Sequence, residues 1–287
     1  SEASVRTSNI SPSARRGASA PLHEFSLSWY NYNNFNPMPH TIAVCTHKGG
    51  TGKTVTALAL AAGFADSGRR CLLVDLDPQA HSAIGIGIDP VDPTLNDFFA
   101  RHPGIPFRDV IRHAPERDHL DVAPSDLRLS WTAEGLAARP KREDILRRGL
   151  REVAADYDVV VIDTPPSLGV LTQNAVAAAD FILIPAPAEA RAANAIVDIL
   201  ELVHLLRSEG FNAYRVLLTR VDSRKSKTNA AVLEAILPWS GIVLRTVIPQ
   251  SEPLNQAQMA RQDIFRFDPG STGAKAYREL INELDTL

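Results

Sequence analysis

Seven consecutive residues, Lys48-Gly49-Gly50-Thr51-Gly52-Lys53-Thr54, combine small backbone-exposing positions with two ammonium groups and two hydroxyls. A short apolar segment, Thr41 to Cys45, precedes them, and a helix-compatible one, Val55 to Phe64, follows. In a strand, glycine loop, helix arrangement the loop amides point at bound phosphates and the helix N-terminus adds a favourable dipole. Lys53 is then in reach of the β- and γ-phosphates, and the Thr54 hydroxyl of a magnesium ion. The expected ligand is a nucleoside triphosphate. The general phosphate-loop pattern has glycine where this chain has His47, and Lys48 is a second cation beside the polyphosphate.

Two further stretches carry carboxylates. Asp75-Leu76-Asp77-Pro78-Gln79 ends an apolar segment, and residues two apart on a strand point in similar directions. Beside a triphosphate and its metal, one of these carboxylates can anchor metal-bound water and the other can orient the attacking water. By itself the stretch also suits a plain strand-ending turn. Val159-Val160-Val161-Ile162 delivers a single carboxylate, Asp163, to the same metal shell, and Pro165-Pro166 forces an extended exit.

Thr219-Arg220-Val221-Asp222 resembles a guanine-reading strand end, with arginine in place of its lysine. Around it Arg215, Arg220, Arg224, Lys225 and Lys227 form a basic stretch broken by Asp222. Local clusters of this kind suit a phosphate backbone, although a charge run also suits a solvated loop. Arg139, Lys141, Arg142, Arg147, Arg148 and Arg151 form a second basic group.

The elements that must position these residues are read from periodicity. β-branched apolar runs at Ile42–Cys45, Cys71–Asp75, Val159–Ile162, Phe181–Pro185, Arg215–Thr219 and Ile242–Val247, with a weaker one at Leu120–Ala123, read as strands. Helical patterns fall at Lys53–Ser67, Lys141–Ala154, Leu171–Ala178, Ala192–Glu209, Asn229–Leu237 and Gly273–Leu284. The alternation predicts an α/β fold, a mostly parallel twisted sheet with helices on both faces, whose ligands bind outside the carboxyl ends of the strands. The Pro-, His- and charge-rich region 89–139 reads as an insertion of loops and short helices.

With these motifs in hand, KGGTGKT resembles the deviant Walker A loop of the ParA/MinD superfamily over roughly residue 39 to the C-terminus. The resemblance implies a three-layer P-loop ATPase in residues 38–287, using ATP and Mg²⁺. Lys48 is then the signature lysine that crosses a homodimer interface to the partner's phosphates, and Lys48, Lys53 and Asp77 are the catalytic set. Thr54, Asp75 and Asp163 surround the metal. Lys48 to Val55 (Gly49, Gly50, Thr51, Gly52, Lys53 and Thr54 between them) bind the nucleotide, with Thr219, Arg220 and Pro249 lining the adenine pocket.

The DLDPQ and DTPP stretches resemble switch I and switch II, and the Pro78-Gln79 pair favours the ParA, DNA-partition branch; Ala80-His81 departs from its usual continuation. That branch implies non-specific DNA binding through Arg220, Arg224, Lys225 and Lys227, with Gln250 standing where a second arginine is expected. It also implies slow intrinsic turnover and a ParB-like activator. The same resemblance is open to an ATPase positioning a protein cargo, a MinD-like membrane-surface protein, or a nucleotide-switched scaffold.

Bulk properties set limits. At 45% hydrophobic and 22% charged, 287 residues suit one α/β domain with a full core. A net charge of −3 puts any DNA contact in a local patch. Cys45 and Cys71 read as core residues, not a disulfide, a metal pair or an iron–sulfur bridge, which fits a reducing cytoplasm and, for this branch, nucleoid association. No apolar run approaches the roughly 20 residues of a membrane span, and the C-terminal segment 274–287 carries too many acids for a membrane-surface helix. Residues 1–37 lack a secretory pattern and read as a disordered extension. Phe25, Trp29, Tyr30, Tyr32 and Phe35 cluster there, as a docking segment or a loose tail upstream of Met38.

Overall fold

The computed structural model describes residues 40–189 and 192–287. The expected extension and its aromatic cluster lie outside the described residues. Eight strands form one sheet: β1 (His40–Val44), β2 (Cys71–Asp75), β3 (Arg112–His113), β4 (Leu120–Ala123), β5 (Val159–Asp163), β6 (Phe181–Pro187), β7 (Tyr214–Val221) and β8 (Val243–Pro249). Their order is β3-β4-β2-β5-β1-β6-β7-β8. Only the short edge pair β3–β4 is antiparallel; every other neighbouring pair is parallel.

The near-continuous apolar strands follow from burial on both faces. Alternation sends Val160 and Ile162 of β5 into one cluster, with Phe98, Leu146, Ala175 and Ile196, and sends Val159 and Val161 into the other, with Leu58, Phe64, Tyr277 and Leu280. Each such buried aliphatic side chain contributes about 1.5–3 kcal/mol. Cys45 lies in the first cluster and Cys71 in the second, both free and buried, so the sheet itself separates the two thiols.

The helices are α1 (Lys53–Asp66), α2 (His81–Gly85), α3 (Leu95–Ala100), α4 (Arg128–Gly135), α5 (Ile145–Glu152), α6 (Val170–Ala178), α7 (Ala192–Leu206), α8 (Ser226–Ile236), α9 (Glu252–Met259), α10 (Ile264–Phe267) and α11 (Thr272–Leu284). Helix α5 starts later than its sequence pattern suggests. Lys141 takes a left-handed φ of 56°, and residues 142–144 form a separate 3₁₀ turn. The 89–139 region contributes strands β3 and β4 to the sheet edge as well as short helices. Strand β7 runs two residues beyond its expected end: Thr219 pairs with Pro187 of β6, and Arg220 falls at a register irregularity against β8.

Candidate nucleotide site

Strand β1 is central, and the chain leaves its carboxyl end through the glycine loop into α1. Gly50 and Gly52 have φ of 70° and 87°, conformations that cost a side-chain-bearing residue and cost glycine little. The first helical bond of α1 runs from Thr56 N to Gly52 O at 2.8 Å, leaving the amides of Lys53, Thr54 and Val55 without an intrahelical partner. No acidic residue occupies the first turn, so the dipole's positive end is left for an anion. Lys53 is buried and curls back to donate from Nζ to the Lys48 carbonyl at 3.0 Å. Burial lowers its pKa, against the attraction of Asp163 and Asp77. The Lys48 side chain is half-buried and has no hydrogen-bond or ion-pair partner among the described residues. Its neighbour His47 sets Nδ1 3.2 Å from Asp198 Oδ2 on α7, not aligned as a hydrogen bond.

Strands β2 and β5 are neighbours, and their register pairs Asp75 with Asp163. Both are fully buried. Asp75 accepts from the Asp77 amide (3.2 Å) and the Ala83 amide (2.9 Å). Asp163 accepts at Oδ2 from Ser82 Oγ at 2.9 Å, while its Oδ1 has no partner. Burial pushes the Asp163 carboxyl up to about 6, against hydrogen bonds from Ser82 and Thr54 and the charge of Lys53. Burial, then the nearby Asp163 charge, holds Asp75 well above the usual carboxylate range. Asp77 is nearly buried and accepts from the Gln79 amide at 3.0 Å, while Ser125 Oγ donates to its carbonyl. Asp163 and Asp77 thus lie near Lys53, with Thr54 against Asp163 and Asp75 in register beside it. An unpartnered, buried carboxylate oxygen beside a second carboxylate and a hydroxyl is a donor set that fits a hard divalent cation. Sequence reasoning missed Ser82 and Ser125; a serine just beyond DLDPQ is too common a feature to mark the first.

The end of β7 lies against the glycine loop. Thr219 Oγ1 donates to Thr51 O at 2.7 Å, and Arg220 Nη1 donates to Gly50 O at 2.8 Å. Their side chains therefore engage the loop's carbonyls. Pro249 pairs with Val221 across β7 and β8, beside this strand end. The Asp222 carboxylate takes Arg224 Nε and Nη2, each at 2.9 Å, so its oxygens are already committed and the guanine-reading arrangement is not formed. The basic stretch is also not one patch. Arg215 sits at the amino end of β7, roughly 16 Å along the strand from Arg220. Arg224, Lys225 and Lys227 are exposed at the start of α8. Of the second basic group, Arg147 is paired with Asp144 at 2.7 Å and Arg142 donates to Ala137 O at 2.8 Å.

A family model described as an AAA domain matches residues 39–216. The chain is 34% identical over 250 residues to the sporulation initiation inhibitor protein Soj of Bacillus subtilis, covering 86% of this chain and 98% of Soj. The chain belongs to the ParA/MinD superfamily of P-loop ATPases. The chromosome partitioning protein ParA of Myxococcus xanthus is 35% identical to this ATPase over 85% of its chain and 87% of ParA. A solved structure of a plasmid partition protein from Borrelia burgdorferi bound to AMPPNP superposes on it with a TM-score of 0.74 at 25% identity, covering 86% and 98% of the two chains. Among the described residues of the ATPase no helix is long and apolar enough to cross a membrane.

Proposed function

We propose that residues 38–287 form a ParA-type ATPase that partitions DNA, cycling between an ATP-bound homodimer that holds DNA non-specifically and a released form after hydrolysis. The observation that carries the reading is the convergence of the glycine loop with two in-register buried carboxylates, beside an unpartnered Lys48. Lys53 and the open amides of α1 bind the triphosphate. Thr54, Asp75 and Asp163 would hold Mg²⁺, which would supply positive charge to the phosphates. Asp77 orients the attacking water. Lys48, without a partner among the described residues, serves the phosphates of the partner subunit. The shared γ-phosphate is then what joins the two copies, and its loss opens them.

Arg224, Lys225 and Lys227 at the amino end of α8 add cations to a helix terminus that already favours phosphate. Pairing two such patches in one dimer makes DNA binding depend on ATP through avidity. The names and likenesses of the partition proteins support the partition reading, and with it we propose a ParB-like activator and a nucleoid-associated location in the cytoplasm. The test is titration of duplex DNA of arbitrary sequence with ATP or ADP over a range of salt. Binding is expected with ATP alone, weakening log-linearly with salt. Equal binding with both nucleotides, or none with either, contradicts the reading.

A further inference from the structure

Two consecutive residues at the end of β7 hold two consecutive carbonyls of the glycine loop, Thr219 on Thr51 and Arg220 on Gly50. Thr219 is buried, so its hydroxyl has no water to fall back on. Arg220 is exposed, and its backbone has a φ of 55°. That left-handed conformation is unfavourable for an L-residue. Such outliers persist where surrounding contacts over-determine them, and they cluster where geometry serves a site. Here the turn at Arg220 brings its guanidinium back over the loop.

A planar trans peptide points its carbonyl and the following amide in opposite directions. Holding the Gly50 and Thr51 carbonyls toward β7 therefore turns the Thr51 and Gly52 amides away from β7. We infer that Thr219 and Arg220 form a clamp that presets the glycine loop for a triphosphate, with both acting as positioning residues and neither as a reader of the base. The inference rests on the nucleotide reading of the loop given above. The clamp lowers the ordering cost of binding by fixing amides that a bare glycine run leaves free to rotate.

The test uses the full chain and a fluorescent ATP analogue with Mg²⁺, measured by equilibrium titration beside thermal melting. Arg220→Gly removes the donor and relieves the left-handed strain. It is expected to weaken the analogue about tenfold without lowering the melting midpoint. Arg220→Lys, which keeps one N–H donor, recovers part of the loss, and Thr219→Val weakens binding in the same direction. Lys53→Ala serves as the control for specific binding. If wild type binds the analogue and Arg220→Gly binds it equally well, the clamp is wrong and the nucleotide reading stands. If wild type itself fails to bind above the Lys53→Ala control, both fall. A loss of affinity that tracks a fall in melting midpoint and is not rescued by lysine marks a merely structural contact and also overturns the clamp.

Discussion

Asp75 and Asp163 face one another in register on adjacent strands, both fully buried, yet only Asp75 has each of its carboxylate oxygens hydrogen-bonded. Two carboxylates confined in this way repel, and Lys53, attracted by Asp163 and Asp77, brings a single positive charge against them. The folded protein therefore gathers negative charge that a divalent cation would balance.

The cost of that arrangement is measurable as stability. The Asp163 carboxyl is raised from 3.8 to about 6, so the folded state holds its proton more tightly than the unfolded chain. Its favourable contribution is complete below 3.8 and is lost as pH rises toward about 6. Asp163→Asn removes this loss. In nucleotide-free protein without magnesium, it is expected to be more stable than wild type at pH 8 by on the order of 2 kcal/mol, and equal to it near pH 4. Thermal melting of both proteins across that range checks the sign; a variant less stable than wild type at pH 8 contradicts the burial argument.

Asp77's carboxylate accepts from the Gln79 amide of its own turn, while Ser125 holds its carbonyl and its amide donates to Asp75. Asp77→Ala is expected to keep ATP affinity and to lower turnover by about 10²-fold or more, trapping the ATP form. A phosphate-release assay at saturating ATP measures this. Turnover at the wild-type rate removes Asp77 from the chemistry.

Arg224 is already clamped by Asp222, so its worth to DNA is reduced by the need to share that fork. Arg224→Glu is expected to weaken ATP-dependent DNA binding for all sequences alike. It should also shrink the slope of log affinity against log salt by about 0.9 for each DNA phosphate that the variant no longer neutralises. An unchanged isotherm at two salt concentrations excludes Arg224 from the DNA face.

What could be read from residues alone divides along the range of the contacts. The loop, Asp75 and Asp163 were legible because strand, turn and helix are contiguous there, and each motif carries its own local geometry. Burial on both sheet faces made the central strands readable as apolar runs. The two-residue β3 offers no such pattern, and α5 begins late because of the left-handed Lys141, which no periodicity marks. The hydrogen bonds from Thr219 and Arg220 to the loop span 168 and 170 residues. They depend on β6 standing between β1 and β7, and so on a sheet order that motif spacing does not encode. Ser82 on Asp163 spans 81 residues and was invisible for the same reason.

The central claim is that Lys48 joins two copies through their nucleotides, and the size of the particle in solution tests it most directly. Sedimentation of the 31.2 kDa chain with a non-hydrolysable ATP analogue and Mg²⁺ is expected to give a dimer for wild type and a nucleotide-bound monomer for Lys48→Ala. A Lys48→Ala protein that dimerises with the analogue as readily as wild type contradicts the account.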